Sequence, residues 1–312
     1  MISHPVHVGA DVSMPTIEIG CPGLKLPASI PNNPNGFALL RRSLVKSPQP
    51  VHVVCEATGP YHKAFVASLH QAGITVSVVN PRLPRDFARS RGQLAKTDRI
   101  DALLLADYGR ILQPPPTPKP EEHTTLLTDL VSRRNQLVDD RVREKNRSQQ
   151  TSRPELLASI KRHWRYLDDQ IDQLEALIAQ LIKNTPVLCA KLQVLASVQG
   201  VGILTASVLL ATMPELGSLS GNEAAALAGL APFNRDSGAF RGSRSISGGR
   251  RDVRKALYMA ALSASQRNPF LRPVYLRLKA NGKHHNVALT AIMRRLIVHL
   301  NLLLSRLPLP LS

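Results

Sequence analysis

The spacing of apolar residues changes twice along the chain, and each stretch between changes predicts a different kind of structure. Up to about residue 112, short apolar runs are separated by polar turns. "HPVHVGADV" predicts a strand ending at Asp11, "MPTIEIG" its hairpin partner, and "GLKLPASI" a third strand before a helix around "FALLRRSLVK". The valine-rich "VHVVCEATG" predicts a buried strand that runs into a Gly59-Pro60 turn. A helix at "YHKAFVASLHQAG" follows, then the strand "ITVSVVN", stopped by Pro81, then a helix carrying Asp98 and Asp101. Three adjacent strands and then alternating helix and strand predict an α/β domain over residues 1–115, a mixed sheet covered by helices.

"QPPPTPKP", residues 113–120, reads as a proline-rich linker. Beyond it the period becomes helical. Ile160, Trp164, Leu167, Ile171, Leu174, Ile178 and Leu181 recur at alternating spacings of four and three, a heptad seam. A more charged helix over about 122–150 precedes it, with "TSRPE" as the turn between. Residues 116–191 are therefore expected to form a central helical coiled-coil arm. From 192 to 312 small-residue helices alternate with glycine turns, which predicts a mainly α C-terminal domain. "LASVQGVGILTASVLLATM" is similar to a helix-hairpin-helix, whose backbone amides, here around Gly200 and Gly202, grip phosphate. "TAIMRRLIVHLNLLLSRL" closes the chain as an amphipathic helix with Arg294, Arg295 and Arg306 off its apolar face.

Charge changes the picture more than hydropathy does. Forty Lys and Arg against 22 Asp and Glu leave +18, an excess suited to a polyanion. A basic membrane-binding protein competes, but no apolar run is expected to span a bilayer and no signal peptide opens the chain. Aromatic residues are 4% of the chain, so Arg and Lys contacts to phosphates are expected to outweigh base stacking. If about eight phosphates are neutralised, affinity falls on the order of 10⁴-fold between about 50 and 200 mM salt. Cys21, Cys55 and Cys189 are scattered and follow no CxxC pattern, as expected of free thiols in a reducing cytoplasm. His284 and His285 beside Lys283 read as a solvated basic patch.

Against this basic background the acids stand out. Asp98 and Asp101 lie one helical turn apart, beside Lys96 and Arg99. Asp11 and Glu56 each end an apolar strand. Carboxylates at strand ends hold hard divalent cations, and three or four of them can hold two Mg²⁺ ions at one phosphate. Each also has an ordinary role: Asp11 in a turn, Glu56 at a solvated strand end, Asp98 as a helix cap and Asp101 against the helix dipole. Together, in a chain of charge +18, they favour the metal.

"GADVSMPTIEI", "EATGPYH", "VNPRLPRDFARSRGQLAKTDRIDALLLADY" and "GLAPFNRDSG...RGSRSISGGRRDVRKALYMAAL" stand in the order found in IS110-type (IS110/IS1111) transposases, which the chain resembles along essentially its whole length. That resemblance implies an RNase H/RuvC-like DEDD domain and a C-terminal transposase domain bearing a serine nucleophile. It implies that Asp11, Glu56, Asp98 and Asp101 are the quartet binding Mg²⁺, with Asp11 bridging two ions, and that Ser237 is the nucleophile. On their own residues, the glycines of "NRDSGAFRGSRS" permit close approach of a phosphate, and Arg235, Arg241 and Arg244 neutralise it. Arg250, Arg251 and Arg254, at a Gly-Gly turn opening a helix, add further phosphate contacts. The resemblance also implies cleavage and exchange of DNA strands at element ends and target through a phosphoserine intermediate. It further implies a non-coding bridge RNA, a homodimer or homotetramer, and a nucleoid-associated bacterial setting. The alternatives are a hydrolytic RuvC-like junction endonuclease and a catalytically silent nucleic-acid scaffold.

Overall fold

The computed structural model describes residues 5–93, 97–233 and 245–308. The chain divides into two compact units, Met1–Lys119 and Pro120–Ser312.

In the first unit, strands β1 (Val6–Val12), β2 (Thr16–Gly20), β3 (Ser29–Pro31), β4 (Val51–Glu56) and β5 (Thr75–Val79) form one sheet in the order β3-β2-β1-β4-β5. The hairpin of β1 and β2 and the pairing of β2 with β3 are antiparallel, while β1, β4 and β5 run parallel. The "GLKLPASI" strand shrinks to three residues. Helices α1 (Pro34–Val45), α2 (His62–Gln71), α3 (Arg82–Ser90) and α4 (Asp98–Leu112) complete the unit.

Strand alternation sorts the side chains between two faces. Val8, Ala10 and Val12 pack with Phe37 and Leu40 of α1 and Phe65 and Leu69 of α2. Val54 and Val79 instead meet Leu105 and Tyr108 of α4, with Phe87 of α3 at the margin. Each fully buried large side chain contributes roughly 1.5–3 kcal/mol. Helix α3 was not expected from the hydrophobic pattern, because "RLPRDFARS" carries no apolar stripe and buries only Pro84.

The proline-rich stretch is not a free tether over most of its length. The Thr117 N–H donates to the Val76 carbonyl at 2.8 Å, and Thr117 Oγ1 accepts from the Val78 N–H at 2.9 Å. The Ser77 hydroxyl bonds the carbonyls of Pro114 and Pro115 and also meets His52 Nε2 at 2.7 Å. Residues 114–117 therefore cover the outer edge of β5. Prolines, lacking N–H groups, cannot extend the ladder further, and an open strand edge is blunted.

The second unit is almost entirely helical: α5 (Glu122–Ser148), α6 (Pro154–Asn184), α7 (Pro186–Ala196), α8 (Ile203–Thr212), α9 (Gly221–Leu227), α10 (Arg251–Arg267), α11 (Leu271–Ala280) and α12 (His285–Ser305). A two-stranded ladder joins β6 (Pro232–Phe233) to β7 (Ser245–Ile246). Helices α5 and α6 form an antiparallel hairpin. Its inner end, with Leu127, Val131, Ile178 and Ile182, belongs to the same core as α7, α8, α10 and α12. Farther out Leu137, Leu167 and Ile171 form a small separate cluster. Beyond it the seam turns polar: Arg141 bonds Asp168 at 2.9 Å, and buried Glu144 accepts from Arg147 and meets His163. Of the predicted seam, Leu167, Ile171 and Ile178 are buried, whereas Ile160, Trp164, Leu174 and Leu181 are half-buried.

Helix α12 is long and apolar enough to cross a bilayer, which corrects the expectation that no such run exists. Half of that window is buried within the unit, where Leu289, Ile292, Leu296, Ile297 and Leu300 face α8, α9 and α10 in the main core. Its one buried polar side chain, Asn301, is satisfied at both ends: Nδ2 donates to the Leu219 carbonyl at 2.6 Å and Oδ1 accepts from the Gly217 N–H at 2.8 Å.

Candidate active site

Sheet register sets the position of two of the four acids. Ala10 of β1 lies beside Cys55 of β4, so Asp11 and Glu56, one step on, stand side by side at the carboxyl ends of adjacent parallel strands, Asp11 one residue before the end of its own. Asp11 shares the face of Gly9, and Glu56 that of Val54. Both faces turn toward α4: a Cβ on Gly9 would strike the backbone of Ala102 and Ala106, and one on Gly109 would strike Val54 and His7. Helix α4 can lie this close only because Gly9 and its β2 neighbour Gly20 carry no side chain.

These contacts also fix the helix direction. Gly109 sits by His7 and Ala102 by Gly9, so α4 runs antiparallel to β1, and its first turn lies toward the Asp11 end. Asp98 continues the sheet-facing row of Ala102, Leu105 and Gly109, while Asp101 lies roughly a quarter-turn away. All four acids are thus brought to the carboxyl end of β1 and β4. Asp11, Glu56 and Asp101 are half-buried and Asp98 is exposed.

The helix cap does not explain Asp98. Thr97 is the N-cap, and its Oγ1 accepts from the Ile100 N–H at 3.2 Å. Asp98 and Asp101 occupy the first turn, where the positive end of the helix dipole stabilises their charge. Among the described residues, no three His, Cys, Asp or Glu side chains form a ready group that could hold a metal ion. What the structure brings together is the four backbone positions at one end of the sheet. The donor chemistry fits a hard divalent cation, being all oxygen. Cys55, the nearest thiol in sequence, is no competitor. Burial, reinforced by the Glu56 charge, raises it to about 12, so it stays protonated.

Sequence reading passed over Glu18. Register places it directly across the hairpin from Asp11, half-buried on the same face. The alternation in "TIEIG", aligned on the hairpin, is the signal that identifies it. Arg99 is exposed in the first turn of α4, whereas Lys96 lies outside the described residues.

In the second unit, Ser237, Arg235, Arg241 and Arg244 lie outside the described residues. The segments flanking them are described: β6 and β7 pair antiparallel, with Pro232 opposite Ile246. Gly248 and Gly249, both with φ near +70° (70° and 69°), then turn the chain against Gly229 and into α10. Arg250 at the N-cap is committed to the fold. Its guanidinium holds Glu215 bidentately at 2.7 and 2.8 Å and donates to the Thr212 carbonyl. Burial pushes the Glu215 carboxyl up, but the Arg250 hydrogen bonds, a backbone hydrogen bond and the Arg250 charge together outweigh this and hold it below its ordinary value. Arg251 is exposed, and Arg254 donates to the Gly248 carbonyl at 2.6 Å.

The Gly200 turn lies against α10, where a Cβ would strike Ala264. Asn268 fastens it, donating through Nδ2 to the Gln199 carbonyl at 2.9 Å. Gly202, the N-cap of α8, faces open space.

A family model described as a transposase, of the DEDD type named for IS110, matches residues 24–152, a range that takes in Glu56, Asp98 and Asp101 but not Asp11. A second, described as the transposase IS116/IS110/IS902 family, matches residues 192–276. The pilin gene-inverting proteins of Moraxella lacunata and Moraxella bovis are each 33% identical over 258 residues, covering 79% of this chain and 78% of theirs. An uncharacterized 43.6 kDa protein of insertion element IS110 from Streptomyces coelicolor is 35% identical over 131 residues, 41% of this chain and 31% of that one.

Proposed function

The chain belongs to the IS116/IS110/IS902 family of transposases, and from that premise we propose that it cleaves and exchanges DNA strands through a covalent phosphoserine–DNA intermediate at Ser237. The observation that carries this reading is the gathering of Asp11, Glu56, Asp98 and Asp101 at one end of the sheet. The strand order β3-β2-β1-β4-β5, three antiparallel strands followed by two parallel ones, supports an RNase H/RuvC-like assignment for the first unit.

Asp11, Glu56, Asp98 and Asp101 would hold Mg²⁺, Asp11 from the central strand of the sheet. When bound, Mg²⁺ polarises the scissile phosphate and balances developing charge. The chain's own residues do the rest. The Ser237 hydroxyl oxygen attacks phosphorus, its new O–P bond replaces one P–O bond to deoxyribose, and its proton passes to a base. The departing sugar oxygen takes up a proton. Attack by a sugar hydroxyl of a second strand restores a phosphodiester and frees the serine. One phosphodiester replaces another, so no nucleotide cofactor is consumed. Arg235, Arg241 and Arg244 flank the nucleophile in sequence and stabilise the crowded phosphate. Arg251 and Arg254 contact neighbouring phosphates, with Arg250 positioning them through Glu215.

Element ends and target DNA are the substrates, and a bridge RNA supplies base pairing to a protein that holds nucleic acid by charge and shape. The Gly200–Gly202 turn acts as the phosphate-gripping part of a helix-hairpin-helix. The α5–α6 hairpin serves as a coiled-coil arm for a dimer or tetramer with composite sites. The relatives named for pilin gene inversion favour a second reading of the product: the same exchange at inverted sites flips the intervening segment.

The test is denaturing electrophoresis of the protein with end-labelled substrate, Mg²⁺ and co-purifying RNA. A protein–DNA adduct that disappears in Ser237→Ala is expected. Cleavage at the normal rate without an adduct or joined product in the wild type, unchanged in that variant, would leave a hydrolytic RuvC-like endonuclease as the correct reading. Joining that persists in the variant would overturn the serine mechanism.

A further inference from the structure

The exposed face of α10 changes character along its length. Arg251, Arg254 and Lys255 occupy its first two turns, and Tyr258 and Met259 the third. Spacings of three, four, seven and eight put all five on one stripe, while Val253, Leu257, Ala260, Ala261 and Ala264 bury the opposite face. The stripe lines an open groove of about 570 Å³, floored by Met293 of α12. Tyr258 is 38% exposed and Met259 61% exposed, so an aromatic ring and a thioether stand at the surface beside cations.

The charges facing the groove are not equivalent. Lys255 is paired with Asp139 of α5 at 3.1 Å, and Arg254 is tethered to the Gly248 carbonyl, which aims its guanidinium without neutralising it. Arg251 is exposed at the first position of the helix, where the dipole adds to its positive charge. One end of the groove is thus anionophilic and the other apolar, and the volume suits a single small ligand. A duplex offers phosphates but keeps its base faces stacked away. An unpaired nucleotide offers both together.

We propose that this groove holds one unpaired nucleotide of a single strand, its phosphate on Arg251 and Arg254 and its base against Tyr258 and Met259. The proposal rests on the strand-exchange reading above, in which cleaved strands are transiently unpaired, and it deepens that reading by naming where a loose strand is kept.

The experiment compares the full chain's affinity for three probes: a thymidylate hexamer, an abasic hexamer of equal charge, and a duplex of mixed sequence. The wild type is expected to bind the thymidylate hexamer roughly tenfold tighter than the abasic one, the scale of one stacked base. Tyr258→Ala should erase that difference with duplex affinity unchanged, and Tyr258→Phe should keep it. Arg251→Ala should weaken both hexamers alike and lower the salt slope by about one. Equal binding of the two hexamers by the wild type, or a base preference that survives Tyr258→Ala, overturns the nucleotide site and leaves the transposase reading standing. Failure to bind the duplex as well overturns both. A uridylate hexamer in parallel tests the assignment to a cleaved DNA strand: thymidylate binding at least as tight as uridylate is expected, and a preference for uridylate with none for thymidylate over the abasic probe overturns it.

Discussion

The acids of the first unit are carried by backbone, whereas the cations of the second are carried by other side chains. Asp11 and Glu56 stand where the β1–β4 ladder puts them, and Asp98 and Asp101 where α4 lies once Gly9 and Gly20 let it approach. In the second unit, α10 begins where it does because Arg250 grips Glu215 and Thr212 and because Gly249 lies on Gly229, and its far end is held where Asn268 ties it to the Gly200 turn. A site fixed by a ladder tolerates changes around it and fails abruptly when the ladder or its close contact is altered. One fixed by a hydrogen-bond network loses stability in steps, one bond at a time.

The contrast is broken most severely by touching the acids themselves. Asp98→Asn is expected to lower strand cleavage on the order of 10³-fold with the thermal melt unchanged, since several kcal/mol of charge stabilisation at the phosphate are removed without a change of shape, and Asp11→Asn is expected to lower it as far. Next in size is Gly9→Ala. Its methyl group enters the α4 backbone, so the first unit should lose roughly 3 kcal/mol in urea unfolding, and cleavage should fall with it. A Gly9→Ala protein with wild-type stability would show that α4 is not held as described.

The corresponding change in the second unit is milder. Asn301→Ala removes one donor and one acceptor from a buried pair of bonds, and a loss of about 1–3 kcal/mol is expected, with metal-dependent cleavage per folded molecule preserved. The smallest effect belongs to Glu215. Its folded-state value lies below the ordinary 4.5, so the Arg250 pair contributes stability above that pH and loses it as acid protonates the carboxyl. Glu215→Gln should therefore be less stable than wild type at neutral pH, and the gap should close in urea titrations at more acid pH.

What could be read from the sequence follows the same division. The valine-rich strands and the heptad seam of α6 are long-range patterns of burial, and burial leaves a period in the sequence. Helix α3 leaves none, because its residues are mostly arginine-flanked and exposed. The prolines of residues 114–117 look like a linker by composition, and only the bonds to Val76, Ser77 and Val78 reveal an edge cover. Asp98 reads as a helix cap until Thr97 is seen to accept the capping bond. Arg250 looks like its neighbours Arg251 and Arg254, and its partner Glu215 is 35 residues away. Glu18 was legible in principle, since a two-residue period aligned on the hairpin puts it opposite Asp11. The membrane-like composition of α12 reflects its place at the centre of a helical core.

The claim on which everything else depends is that four carboxylates from three elements serve one divalent-cation site. Paramagnetic titration of the full chain with Mn²⁺, reading bound and free ion in the wild type, Asp11→Asn and Arg251→Ala, tests it directly. Saturable binding that Asp11→Asn abolishes or weakens at least tenfold, and that Arg251→Ala leaves unchanged, is the predicted result. Equal Mn²⁺ binding by wild type and Asp11→Asn would contradict it.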